Sequence, residues 1–138
     1  MKTILYILVC LLFTHCFQVE HPENNLSGSY IGYFHRNHSD TAQVTLCFGD
    51  GQYHGKSHQQ NYPLMGAGSF EQQENYIIFR DSGNWAGPAD NSLILNGSYH
   101  LQENDDGSIR IWREIPGGID EYIFARQSPE ENATVHAP

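Results

Sequence analysis

The sequence is short of cysteine and of positive charge, and it contains no apolar run long enough to cross a bilayer as a helix. Three cysteines occur in 138 residues. Cys10 and Cys16 fall near the start, so Cys47 stands alone in the body and no disulfide can form within that body. Its stability must come from a packed core. Lysine and arginine total 7 against 16 acidic residues, for a net charge of −9 with histidines neutral. That balance, with no basic stripe, excludes a nucleic-acid footprint and disfavours electrostatic attachment to anionic lipid. The longest apolar run, Ile4 to Phe13, is about half the roughly 20 residues a helical span requires. Helical periodicity is missing throughout. So are a Gly-x-Ser-x-Gly elbow and a phosphate-binding glycine loop, which leaves no motif from which to assign a catalytic residue or a cofactor.

What is present begins with Met1, Lys2 and Thr3 ahead of that apolar run, the pattern of a secretory signal over residues 1–16. Two processing routes fit. Leu12-Phe13-Thr14-His15-Cys16 resembles a lipobox with Cys16 as the lipidated residue, although His15 stands where a small residue is usual. Ordinary cleavage after Cys16 is the other route. The expected locations are periplasm, outer membrane through a lipid anchor, or secreted medium; membrane contact would then be only through that anchor. Residues 17–25 read as a polar tether, 26–127 as the folded body and 128–138 as a disordered tail. Asn25, Asn37, Asn96 and Asn132 each begin an Asn-x-Ser/Thr triplet, which carries meaning only in a glycosylating host.

The body alternates with period two. Leu26, Gly28, Tyr30, Gly32 and Phe34 share one face of a first strand, and Val44, Leu46 and Phe48 share one face of a second, Thr41 to Phe48. Asp50-Gly51 then predicts a tight hairpin into Gln52 to Lys56. Further strands are expected at Gly66 to Gln72, Asn75 to Arg80, Ser92 to Gln102, Ser108 to Arg113 and Glu121 to Arg126. Asp81 to Asn91 is the longest irregular stretch. About eight strands with short connections must run antiparallel, and closure removes their edges, so the expected fold is an all-β up-and-down barrel. A two-sheet sandwich is the alternative.

The order of several short motifs resembles the small lipocalin-like proteins of bacterial envelopes. Leu26-Ser27-Gly28-Ser29-Tyr30 stands where that family has Leu-x-Gly-x-Trp. Asp50-Gly51-Gln52-Tyr53-His54-Gly55 follows, then Tyr62-Pro63 with Gly66 and Gly68. Trp85 and Asp90 precede Leu93 to Gly97, and the chain closes on Glu121 to Gln127. The resemblance implies fold more than activity. It also implies a structural pair, with Arg126 of the last strand covering Tyr30 of the first.

Function is expected from the barrel's contents. The first reading is a non-enzymatic binding barrel for a small apolar or amphipathic ligand, lined by Tyr30, Tyr53, Trp85, Tyr99 and Trp112. The second is a packed module that meets another envelope protein. A hydrolase or isomerase is the third. Asp105-Asp106 and Glu130-Glu131 read as solvated charges, Asp90 as a loop cap and Cys47 as a buried free thiol. His21, His35, His38, His54, His58 and His100 read as surface residues near loops, with no metal assigned.

Overall fold

The computed structural model describes residues 26–87 and 89–128. The expected signal and tether, with Cys16, and residues 129–138 of the expected tail lie outside them. The described chain is a closed antiparallel barrel in which each strand pairs with the next and the last with the first. Its strands are β1 (Gly28–Arg36), β2 (Thr41–Gly49), β3 (Gln52–Ser57), β4 (Ala67–Gln73), β5 (Tyr76–Asp81), β6 (Gly97–Glu103), β7 (Ile109–Ile115) and β8 (Gly118–Arg126). Closure is the expected up-and-down arrangement; β1 sits between β2 and β8, so neither terminal strand leaves an unpaired edge.

Local chemistry sets the turns. Asp50 and Gly51 hold φ of 50° and 71°, the paired left-handed conformation of the expected Asp-Gly hairpin. Pro116 leads into Gly117 at φ 84° in a tight turn, so β7 runs on to Ile115 and β8 begins at Gly118, beyond the expected limits of Arg113 and Glu121. The sixth strand starts five residues later than expected, at Gly97 rather than Ser92. Asp90 caps a 3₁₀ turn at Asn91–Leu93 by accepting from the Ser92 amide at 2.9 Å. The following residues pair with the other long loop instead: the Leu64 amide donates to the Leu93 carbonyl, and the Leu95 amide to the Leu64 carbonyl, both at 3.0 Å.

The two ends of the barrel differ. Short turns and Leu26 close one end, where the Leu26 amide donates to Gln72 Oε1 at 2.9 Å and Gln72 Nε2 to Glu103 at 2.6 Å. Residues 58–66, 82–87 and 89–96 cover the other. Between them the interior is filled by aromatic rings in mutual contact. Tyr30 meets Phe48 edge-on at 5.8 Å, Phe48 meets Phe70 at 4.8 Å, and Tyr53 meets Phe79 at 5.0 Å. Phe79 reaches Tyr99, Tyr99 reaches Tyr122, and Tyr122 reaches Phe34 at 4.7 Å. Edge-to-face pairs of this kind contribute beyond the area they bury.

Burial pushes the phenols of Tyr30, Tyr53, Tyr99 and Tyr122 above the ordinary tyrosine range. The unfolded chain therefore releases these protons before the folded chain does. The stabilisation is complete below about pH 10 and declines above it, by up to roughly 1.4 kcal/mol per pH unit for each phenol. A urea-unfolding series from pH 8 to pH 11.5, with tyrosinate absorbance followed in parallel, should show stability falling steeply above about pH 10. Flat stability across that range contradicts the burial argument.

Candidate functional site

Of the five residues expected to line a cavity, Tyr30, Tyr53 and Tyr99 face inward and are almost wholly buried. They fill the interior. Tyr53 donates its hydroxyl proton to the Leu95 carbonyl at 3.1 Å, which ties β3 to the long loop above it. Trp85 lies in that loop, half-buried, with its indole N–H donating to Asp81 Oδ2 at 2.6 Å. Trp112 goes the other way. Ile109 and Ile111 occupy the inward positions of β7, so Trp112 stands outside the barrel, apart from the other four.

The expected Tyr30–Arg126 pair takes a different form. The two residues are register partners across β1 and β8. The guanidinium-over-ring contacts among the described residues, however, are Arg110 on Trp112 at 4.3 Å and Arg113 on Tyr99 at 4.7 Å. Arg126 instead donates to the Ser27 carbonyl at 3.2 Å. It passes beside Gly28, which holds φ 95°, with the guanidinium 3.5 Å from where a Cβ would be, an ordinary contact distance.

Cys47 is half-buried on the outer face rather than fully buried, because Val44, Leu46 and Phe48 take the inward parity. Its sulfur lies 3.3 Å from Ser29 Oγ, while His54, its register neighbour on β3, is not its hydrogen-bond partner. Asp106 accepts from the Ser108 amide at 2.9 Å, and hydrogen bonds from Ser108 lower its pKa; the same bonding from Ser92 lowers that of Asp90. Both are turn and cap residues. The side chains of Asn37 and Asn96 are committed to backbone amides, of Ile119 at 2.8 Å and of Asp81 at 3.0 Å.

Two ionic clusters were not anticipated. At the loop-covered end, Asp120 points inward with its side chain 2% exposed. Arg36 donates to it from Nε at 2.6 Å and from Nη2 at 2.9 Å, and Arg113 approaches from the other side at 3.2 Å. Both arginines also donate to the Ser92 carbonyl, which fastens the loop to the barrel rim. Clefts of ≈ 450 Å³ and ≈ 470 Å³ open beside this cluster; Trp85, Asn96 and Arg113 line the first. Most of the guanidinium donors there already serve Asp120 and loop carbonyls, so the cluster reads first as a clasp.

The second cluster is external. One row of outward residues crosses five strands in register: His35, Glu121, Trp112, His100 and Tyr76. Trp112 is stacked on His100 at 5.1 Å, with Arg110 on the indole, and His100 meets Tyr76 at 4.7 Å. Glu121 is 5% exposed even though it faces out; Arg110 binds one carboxylate oxygen and His35 Nε2 the other at 2.9 Å. Tyr33 and Ile123 extend the row, 54% and 49% exposed, and Tyr76 is 42% exposed at its far end. The alternation of Ile109 and Ile111 against Arg110 and Trp112 carried a signal for this face; the pairing of His35 with Glu121 required the register of β1 on β8. Compared with known proteins, the chain matches no family model, no curated protein and no solved structure.

Proposed function

We propose that this protein is a non-enzymatic, exported interaction module, a lipocalin-like barrel packed solid, which binds a protein partner through the outer face of β5 to β8 and β1. The filled interior carries this reading: Tyr30 and Tyr99, expected to line a ligand site, pack against other core rings instead. Outside, two exposed tyrosines and a tryptophan that contacts a histidine and an arginine present residue types enriched where proteins meet, with an exposed isoleucine beside them. The stacking of Trp112 fixes it before binding, so little side-chain freedom is lost on association. The expected occupant is an envelope protein with a complementary apolar surface.

Replacing Ile123 with a photo-crosslinking amino acid and irradiating the native host should trap one discrete partner. With that partner in hand, Trp112→Ala should weaken binding by about 2 kcal/mol or more, roughly 30-fold, as a central aromatic anchor does. The Trp85-lined cleft favours a second reading, a small polar ligand held at the loop-covered mouth. Native mass spectrometry of gently purified protein separates the two. A small molecule released on denaturation, with no crosslink from Ile123, would replace the partner reading with the ligand one.

A further inference from the structure

The β1–β2 hairpin turns on two residues, Asn37 and His38, both at φ 55°. The Ser39 amide closes it on the Arg36 carbonyl at 3.0 Å. Asparagine tolerates this left-handed conformation, but the second position of such a turn is ordinarily glycine. A histidine there is held against its own backbone preference. Strain of this kind is retained where the surroundings over-determine it, and it concentrates at functional positions. Here it places the His38 ring 5.1 Å from the ring of His35, at the end of the row that holds Glu121.

Ligand atoms from His35, His38 and Glu121 all lie within 4.8 Å of one another. A tetrahedral Zn²⁺ with bonds of about 2.0–2.2 Å needs donors roughly 3.4 Å apart, so the three converge with an adjustment of up to about 1.4 Å. His35 Nε2 and Glu121 are already at 2.9 Å. His35 Nδ1 is buried without a hydrogen-bond partner, so one hydrogen bond is all that restrains the ring through its nitrogens. Glu121 binds Arg110 through one oxygen; the other meets His35 Nε2, a contact that an ion between the two would replace. An ion taking the other would keep Arg110 as the group that orients the carboxylate, the role such outer partners play around bound metals. Two imidazoles and a carboxylate suit zinc and its transition-metal neighbours better than calcium or magnesium. The acidic chain favours cation approach.

We infer that His35, His38 and Glu121 form a site for one Zn²⁺, completed by solvent, which pins the β1–β2 turn to β8. The inference is independent of the partner reading.

The test is zinc titration by calorimetry on the full chain, freed of metal with chelator, with thermal unfolding measured with and without Zn²⁺. Wild-type protein should bind one equivalent through this site and melt higher with zinc. His38→Gly should lose at least about 100-fold in affinity at the site, more than the loss of an outer orienting partner. It should melt at or above the wild-type temperature in chelator, because glycine accepts the turn's backbone. A merely structural histidine would not produce that opposite movement of affinity and stability. His35→Gln supplies a second variant and should also lose the site. Equal zinc binding by wild type and both variants, or no binding by wild type, would overturn the assignment.

Discussion

Replacing Gly32 with alanine is expected to destabilise the barrel by about 3 kcal/mol or more, at the upper end of what overpacking produces. Gly32 occupies an inward position of β1, between Val44 on β2 and Phe124 on β8. A Cβ there would fall 1.9 Å from the carbonyl oxygen of Ile123 and 2.8 Å from the Cα of Phe124. Those are backbone atoms of the strand that closes the barrel, so no rotamer change relieves the clash. Relief requires β1 and β8 to separate at the seam, which strains the ladder on both sides of it. For a body of this size the loss corresponds to a fall in melting temperature of about 12–24 °C. Gly68 is in the same position toward Arg80, with a carbonyl at 2.0 Å. Gly49 supplies the control. Nothing lies within 4 Å of its Cβ position, and its φ is one that alanine adopts. Gly49→Ala should therefore be neutral, or stabilising by a few tenths to about 1 kcal/mol through the unfolded chain. Chemical denaturation of the two variants side by side decides the matter. A Gly32→Ala midpoint equal to that of Gly49→Ala would show that the seam is not tightly set.

This dependence on one close approach explains which parts of the molecule are legible in the sequence. Period-two alternation is local, so the sequence shows directly that Tyr30 and Phe34 share one face and that Val44, Leu46 and Phe48 share another, while the closed barrel decides that these faces point inward; Asp50-Gly51 announces its own turn. A run of such strands with short connections has few ways to hide its edges, and closure follows. The outer-face cluster is not local. His35 and Glu121 become neighbours only in the β1–β8 register, which no stretch of sequence reports. Trp112 was legible in part, since the isoleucines beside it claim the inward parity of β7, but an aromatic residue in a barrel invites an interior assignment. The late start of β6 escaped because Leu93 and Leu95 keep the parity of a strand while a capped 3₁₀ turn carries the backbone. Asp120 was hidden more deeply. The last strand is expected only from Glu121, one residue past it, and an inward aspartate makes sense only once Arg36, 84 residues away, is placed against it.

Asp120→Ala is expected to cost about 3 kcal/mol, the lower part of the range for removing one partner from a buried ion pair. The lower part applies because the guanidiniums are not sealed in. Arg36 and Arg113 are 21% and 23% exposed and keep partners after the change: Arg36 at Ser92 and, at 3.6 Å, Asp90; Arg113 at the Ser92 and Asn96 carbonyls. What they lose is the carboxylate that fixes their geometry. Two like charges then face one another across the rim, and each still holds the loop through the same carbonyl of Ser92. The loop should therefore loosen more than the strands. Amide exchange reports this directly. The protons of Leu64 and Leu95, which bond the two long loops to each other, should lose protection in Asp120→Ala well before those of central β1 and β8. Removing Arg36 together with Asp120, as Arg36→Met/Asp120→Ala, should restore part of the stability by deleting one of the two like charges that face one another. The double-mutant cycle then yields a favourable coupling of about 1 kcal/mol or more for the pair. Because Asp120 is excluded from solvent, that coupling should persist in salt that abolishes exposed pairs. Additive single and double variants, with loop protection unchanged, would show that the loop is held by its backbone bridge to Leu64 and not by the arginine clasp.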